Sequence, residues 1–172
     1  MKLMIASDIH GSSYYCCNLI NAFKKEQADK LLLLGDILYH GPRNALPAGY
    51  DPRFVAMMLN EIKDSILCVR GNCEAEVDQM MLEFPVMADY ALFSLDGINL
   101  YATHGHLATP PMRPNDILVS GHTHVPTWEN NRFNPGSVSI PKEESHHGYI
   151  LYADRTFTWK DFDGNVIHTC TL

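Results

Sequence analysis

Side chains that bind metals recur in five short segments of the sequence, each directly after a run of apolar residues. The segments are Asp8-Ile9-His10, Gly35-Asp36, Arg70-Gly71-Asn72-Cys73-Glu74, Thr103-His104-Gly105-His106 and Gly121-His122-Thr123-His124. They contain five of the nine histidines of the chain. Carboxylate oxygens, imidazole nitrogens and an amide oxygen together suit divalent metals such as Mn²⁺, Fe²⁺, Co²⁺ or Zn²⁺. The residue types therefore predict a transition-metal site, provided that the fold brings the segments together.

Alternating strands and helices in the first half of the chain would position three of these segments. Short apolar runs at residues 2–6, 31–34 and 66–69 predict buried strands, and the stretches between them have the apolar spacing of helices. Ser12 and Ser13 are suited to cap the first helix, which we expect to end near Glu26. Strands joined by helical crossovers are parallel, and their carboxyl ends share one edge of the sheet. We therefore expect the ligand segments to converge at that edge.

The second half of the chain predicts short strands around tight turns. Asp96-Gly97 lies between apolar stretches at 88–95 and 98–102, which is the strongest short-range signal for a hairpin. Further strands are predicted at 116–120, 149–153, 156–162 and 166–170. Two sheets packed face to face, with helices outside, would accommodate both halves in a single domain over residues 1–172.

The composition excludes several classes of function. The 172-residue chain has 13 basic and 20 acidic residues and a net charge of −7, which disfavours binding of long nucleic acid. No apolar stretch approaches the roughly 18 residues of a membrane span, and no secretory segment is recognisable, so we expect a cytoplasmic protein without membrane contacts. The five cysteines contain no C-x-x-C pair, which argues against a structural zinc site.

In their order along the chain, the five segments resemble the signature of the calcineurin-like metallophosphoesterase superfamily. That signature reads D-x-H, G-D, G-N-[H/C]-[D/E], H-G-H and G-H-x-H, and every part of it is present between Asp8 and His124. Residues 35–47 and 134–142 are similar to the small bacterial phosphodiesterases of the superfamily. The resemblance implies an α/β fold, a four-layer α/β/β/α sandwich of two mixed sheets flanked by helices.

The resemblance also implies a set of metal ligands. One metal ion would be held by Asp8, His10, Asp36 and His124, and the other by Asp36, Asn72, His104 and His122. Asp36 would bridge two divalent ions per chain, with Mn²⁺ expected and Zn²⁺, Fe²⁺, Co²⁺ and Ni²⁺ as alternatives. A hydroxide bridging the ions would attack the phosphorus of a small phosphodiester.

Three residues outside the ligand set are candidates for contact with the substrate. Cys73 stands where many members of the superfamily have a histidine that protonates the leaving group. A thiol is a poorer general acid, so either catalysis favours substrates with good leaving groups, or His106 or a metal-bound water supplies the proton, unless Cys73 only packs. Arg43, on a loop rich in proline and glycine, would contact a phosphate oxygen or remain a solvated surface residue.

Two further features could support the site from behind. Arg70 precedes the asparagine ligand and could pair with Glu74 or Asp78. The polar stretch at 134–137 follows a strand, and it could either support the ligands or be only a turn.

Two alternatives to a diesterase remain open from the sequence. One is a phosphomonoesterase or nuclease of the same superfamily, and the other is a non-catalytic scaffold of this fold that binds proteins. The full set of seven ligands favours an enzyme over the scaffold. Self-association into a dimer or tetramer is expected from related small members, with exposed aromatic residues as candidate contacts.

Overall fold

Two mixed β-sheets form the centre of the protein in a computed structural model that describes residues 1–172. The strands are β1 (Leu3–Ala6), β2 (Lys30–Leu33), β3 (Ile66–Cys68), β4 (Tyr90–Leu95), β5 (Ile98–Thr103), β6 (Ile117–Val119), β7 (Thr127–Glu129), β8 (Arg132–Asn134), β9 (Gly148–Ala153), β10 (Thr156–Asp161) and β11 (Val166–Thr171). The helices are α1 (Ser13–Glu26), α2 (Pro52–Asn60) and α3 (Glu76–Met81), with a short 3-10 helix at Lys63–Ser65. None of the helices combines the length and the apolar composition that crossing a bilayer would need.

The strand order confirms the predicted fold class. The first sheet has the order β11-β10-β9-β1-β2-β3, and β1, β2 and β3 run parallel as the sequence predicted. The second sheet has the order β4-β5-β6-β8-β7 and combines parallel with antiparallel pairs. The predicted hairpin at Asp96-Gly97 joins β4 to β5.

The apolar residues of β1 and β2 follow one another without alternating with polar ones, because both faces of the first sheet are covered. Met4 and Leu31 point into a core that the sheet shares with α1 and α2. Leu3 and Leu32 point the other way, into a core that contains residues of both sheets. The central strands are therefore held rigidly, and so are the chain segments that leave their ends.

The turn between β1 and α1 is fixed by a helix cap. Ser12 caps α1 as predicted, since its side chain accepts a hydrogen bond from the backbone N–H of Tyr15 at 3.2 Å. The Ser12 hydroxyl also donates to the carbonyl of Ala48 at 2.6 Å, which ties the loop before α2 to the start of α1. Only a few residues separate this cap from the end of β1, so the Asp8-Ile9-His10 segment has little freedom.

One hairpin was not predicted. Strands β7 and β8 are antiparallel and are joined by Asn130-Asn131, both of which have a left-handed backbone with φ of 53° and 56°. A two-residue turn with positive φ at both positions is a preferred hairpin connection, and asparagine tolerates it well. The strands have three residues each, too few for an alternating pattern to stand out.

Candidate metal centre

The five ligand segments meet at one edge of the two sheets. Each of the seven predicted ligands lies shortly after the end of a strand. Asp8 and His10 follow β1, Asp36 follows β2, Asn72 follows β3, His104 follows β5, and His122 and His124 follow β6. Strands of both sheets thus contribute, which explains how residues 116 positions apart in the sequence come together.

The backbone of most of these ligands is strained. Five of them have positive φ: Asp8 (60°), His10 (49°), Asp36 (54°), His122 (69°) and His124 (64°). Residues with a side chain seldom adopt this left-handed region, and such strain concentrates at functional sites. A strained backbone at these positions fits turns that direct the ligand side chains into one site.

Three side chains form the first cluster. Oδ1 of Asp8 lies 3.3 Å from Nε2 of His124 and 3.5 Å from Nε2 of His10, and the two Nε2 atoms are 3.1 Å apart. Nδ1 of His10 donates to the Tyr39 carbonyl at 2.8 Å, and Nδ1 of His124 donates to the Ile140 carbonyl at 2.7 Å. In the neutral imidazole each Nε2 therefore carries a lone pair.

The Nε2 lone pairs of His10 and His124 and the buried carboxylate of Asp8 lie close together and require a compensating positive charge. Oδ1 of Asp8 is buried and receives no hydrogen bond from any protein donor. A buried carboxylate oxygen without a donor is costly unless a proton or a cation compensates it. The cluster of Asp8, His10 and His124 therefore fits a divalent cation.

The second cluster surrounds His104. Its Nδ1 donates to the carbonyl of Leu34 at 2.7 Å, which directs Nε2 toward the site. Nε2 lies 3.1 Å from Oδ1 of Asn72, 3.2 Å from Nδ1 of His122 and 3.5 Å from Oδ2 of Asp36. These are the donor atoms that the sequence assigned to the second metal.

Asp36 lies between the two clusters. Its Oδ2 is 3.5 Å from Nε2 of His104 and 3.8 Å from Nε2 of His10, while its Oδ1 accepts a hydrogen bond from the backbone N–H of Cys73 at 2.9 Å. This position is compatible with the bridging role that the resemblance implies. Asp8 is also central, since its Oδ1 lies 4.0 Å from Nε2 of His104.

The electrostatics of the site keep the Asp8 carboxylate ionised and a proton on His104. Burial by itself raises the pKa of Asp8, but the neighbouring imidazoles of His10, His124 and His104 outweigh burial and hold that pKa well below its usual range. Burial lowers the pKa of His104, but Asp36 and Asp8 outweigh it and raise that pKa to about 9. His104 therefore carries a proton near neutral pH, and a metal must displace it.

Glu74 fixes the loops that carry two of the ligands. Its buried carboxylate accepts hydrogen bonds from the backbone N–H groups of Asp36 (2.9 Å), Ile37 (2.7 Å) and Gly71 (2.5 Å). Gly71 is required there, because a Cβ would lie 2.1 Å from Oδ1 of Asp36. Burial and the neighbouring Asp36 charge raise the pKa of Glu74 in spite of these hydrogen bonds.

The proposed pairing of Arg70 with Glu74 or Asp78 was wrong. The Glu74 carboxylate binds backbone amides instead, and Asp78 accepts from the N–H of Ala75 at the start of α3. The Nε atom of Arg70 is buried without a hydrogen-bond partner. Backbone N–H groups of the nearby turns therefore bind the two carboxylates that Arg70 was expected to pair with.

The polar stretch after β8 supports the first cluster from behind. The hydroxyls of Ser137 and Ser139 donate to the carbonyl of Asp8 at 2.8 and 3.2 Å. The side-chain amide of Asn134 donates to the carbonyl of Gly121 at 2.8 Å, next to His122. Of the two interpretations left open by the sequence, the structure thus favours support of the ligands.

A polar cavity of about 410 Å³ opens over the ligands. Its walls include Asp36, Asn72, His122 and His124 from the ligand set and Gly41, Pro42, Arg43, Asn44, Cys73, Thr123 and Lys142 around them. Arg43 and Cys73 line it as expected. Lys142 was missed, although it ends the 134–142 stretch that the resemblance covers. Two cationic side chains beside the ligands make the cavity suited to an anion.

His106 lies beside the ligands rather than in the wall of this cavity. Its ring centroid is 5.4 Å from that of His104 and 6.3 Å from that of His122. Its Nδ1 is buried without a hydrogen-bond partner. Burial and the neighbouring His104 charge lower the pKa of His106.

Comparison with known proteins decides the family. Residues 1–156 match the calcineurin-like phosphoesterase superfamily domain. The chain belongs to this superfamily. Among curated members, phosphodiesterase YfcE of Escherichia coli (strain K12) is 51% identical over 150 residues, which are 83% of this chain and 82% of that protein. Membership of this metallophosphoesterase family implies a divalent metal, in agreement with the two clusters.

Solved structures of the superfamily share the fold. YfcE, a phosphoesterase from E. coli, superposes with a TM-score of 0.95 at 43% identity, covering 99% of both chains. A novel archaeal phosphodiesterase superposes with a TM-score of 0.65 at 18% identity, covering 100% of both chains. Vps29 from Entamoeba histolytica has a TM-score of 0.57 at 17% identity, covering 92% of this chain and 89% of that one. The last two likenesses concern the fold alone.

Proposed function

We propose that the protein hydrolyses small phosphodiesters with the help of two divalent metal ions. The observation that carries this proposal is the pair of clusters in which imidazole Nε2 atoms face carboxylate oxygens, with Asp36 between them. The activity named for the E. coli relative, a phosphodiesterase, supports the diester as the substrate class. Cytoplasmic location and self-association stay predictions.

We assign the ligands to the two ions as the resemblance to the superfamily implies. Asp8, His10, Asp36 and His124 would hold one ion, and Asp36, Asn72, His104 and His122 the other. Carboxylate, imidazole and amide donors without a thiolate favour a transition metal such as Mn²⁺. Bound there, such ions polarise phosphoryl oxygens and lower the pKa of water.

The chain's own cations would bind the substrate. Arg43 and Lys142 line the cavity next to the ligands, so their side chains can pair with the phosphate oxygens of a diester. The ligand carboxylates contribute only two negative charges, from Asp8 and Asp36. With two divalent cations bound, the site is positive inside an acidic protein, which attracts an anionic substrate.

Restoration of activity by metal tests the proposal. Protein stripped with a chelator should hydrolyse bis(p-nitrophenyl) phosphate only after Mn²⁺ is added, and should turn over p-nitrophenyl phosphate more slowly. Because His104 must release its proton, the affinity for Mn²⁺ should rise as the pH rises toward about 9. Two bound ions without turnover of either ester would support the scaffold alternative, and faster turnover of the monoester would support a phosphomonoesterase.

His106 is the better candidate for protonating the leaving group. Burial and the Asp36 charge raise the pKa of Cys73 far above neutral, so its thiol is a weak acid there. We expect His106→Ala to lower kcat roughly 100-fold for a diester with an alkoxide leaving group. The loss should be small for p-nitrophenolate, which leaves without a proton.

A remote histidine provides the control for this variant. His168 stacks on Trp128 at a centroid distance of 4.5 Å, on a strand at the edge of the first sheet. His168→Ala should leave both rates unchanged. An equal loss for both leaving groups in His106→Ala would show that His106 acts on the site by packing rather than by proton transfer.

A further inference from the structure

A second cavity, apolar rather than polar, lies beside the one over the ligands. It has a volume of about 440 Å³, and seven of the ten residues that line it are hydrophobic. Cys73 lines both cavities, so the two meet at this residue. We call the second cavity the apolar cleft; its walls include Leu38, Tyr39, Tyr50, Pro52, Val77 and Met81.

The wall of the apolar cleft is fixed relative to the metal ligands. The carbonyl of Tyr39 accepts the hydrogen bond from Nδ1 of His10, so the backbone of this wall residue orients a ligand. The backbone N–H of Gly11 donates to the carbonyl of Ile37 at 2.8 Å, one residue before Leu38. An object held in the cleft would therefore keep a defined position with respect to the site.

Another part of the wall comes from α3, which contributes exposed apolar side chains to the cleft. Val77 is 59% exposed although it lines the cleft, and Met81 on the same helix is exposed as well. Pockets that bind small molecules combine such apolar walls with a few polar groups that fix orientation.

A phosphodiester with an apolar ester substituent matches both environments. Its phosphate matches the polar cavity, where Arg43 and Lys142 are located. Each of its two ester substituents must leave the phosphate in a different direction, and the apolar cleft adjoins the polar cavity at Cys73.

We propose that the apolar cleft binds one ester substituent of the substrate, an aryl group or an apolar group of similar size. The inference rests on the proposed function and names a class of substrate: diesters in which at least one alcohol is apolar and about as large as a ring. A single methylene in a hydrophobic pocket changes specificity by roughly 10-fold or more. A ring should therefore bind at least about 10-fold better than a methyl group.

Inhibition by phosphonates tests this proposal, because the result does not depend on which ester substituent is the leaving group. They are not hydrolysed at the C–P bond, and their one substituent is free to enter the cleft. Phenylphosphonate should inhibit the Mn²⁺-loaded protein with a Ki at least about 10-fold lower than methylphosphonate, measured against bis(p-nitrophenyl) phosphate and by calorimetry. Val77→Asp, which places a charge in the cleft, should reduce this ratio to near one.

Met80→Asp is the matched control. Met80 is 83% exposed on the same helix and does not line the cleft, so the same substitution should leave the ratio of the two Ki values unchanged. Equal Ki values for both phosphonates in the wild-type protein, with intact diester hydrolysis, would overturn the apolar subsite but not the proposed function. An unchanged ratio in Val77→Asp together with an altered oligomeric state would show instead that the cleft is a contact between copies of the chain. Absence of metal-dependent diester hydrolysis would overturn both proposals.

Discussion

Asp36→Asn should abolish most of the diesterase activity and weaken the binding of metal. Asp36 is the carboxylate between the two clusters, with Oδ2 within 3.8 Å of the imidazoles of both His10 and His104. Asparagine has nearly the same shape, but it presents one neutral oxygen instead of two charged ones. Loss of groups that only support metal ligands costs about 10- to 100-fold in affinity or activity. Removing a ligand carboxylate should therefore lower kcat/KM by more than about 100-fold at saturating Mn²⁺.

Thermal unfolding separates loss of metal from loss of fold in this variant. Metal that binds only the folded state raises the Tm, so Mn²⁺ should raise the Tm of the wild-type protein much more than that of Asp36→Asn. The metal-free variant should melt somewhat below the metal-free wild type, because the interactions of the Asp36 carboxylate with His104 outweigh burial and the charge of Asp8 and lower its pKa. Asp64→Asn, at an exposed carboxylate, should behave like wild type throughout. Wild-type activity and a wild-type Tm increase in Asp36→Asn would refute the dinuclear assignment.

The ligands could be predicted from the sequence because their chemistry and their position coincide. Asp8, Asp36 and Asn72 each follow an apolar run that is long enough to identify a buried parallel strand. Parallel strands place their carboxyl ends together whatever the details of packing. The pattern of strands and helices therefore located the edge of the sheet, and the residue types identified the chemistry.

The supporting residues could not be predicted in the same way. Glu74 was expected to pair with a charged side chain, but its partners are three backbone amides whose direction depends on the turns after β2 and β3. Lys142 reaches the cavity from the segment before β9, which no strand pattern places there. Such contacts depend on the conformation of the loops, which cannot be predicted from the type of a single side chain.

The same dependence on backbone amides makes Glu74→Gln the most informative supporting variant. One Glu74 oxygen accepts from Asp36 and Gly71, and the other accepts from Ile37. Glutamine has only one acceptor oxygen, so its NH₂ group must face an N–H group and leave a buried donor unpaired, at a cost of about 1–3 kcal/mol. The turn that carries Asp36 would shift. We expect kcat/KM for bis(p-nitrophenyl) phosphate to fall by about 10- to 100-fold, together with the affinity for Mn²⁺.

Glu26→Gln is the matched control, because it makes the same change in a carboxylate that contacts no metal ligand. The Glu26 carboxylate, mostly buried, accepts from the hydroxyl of Tyr149 at 3.0 Å and forms an ion pair with Lys160. Loss of the Glu26 carboxylate should lower the Tm of the protein without changing its affinity for Mn²⁺. If Glu74→Gln lowered only the Tm in the same manner, Glu74 would be a stabilising residue and not a positioning one. A loss of metal affinity that exceeds the loss in Glu26→Gln at similar Tm would instead show that Glu74 controls the ligand geometry. Both variants replace a carboxylate by an amide, and only Glu74 holds the loops of Asp36 and Asn72.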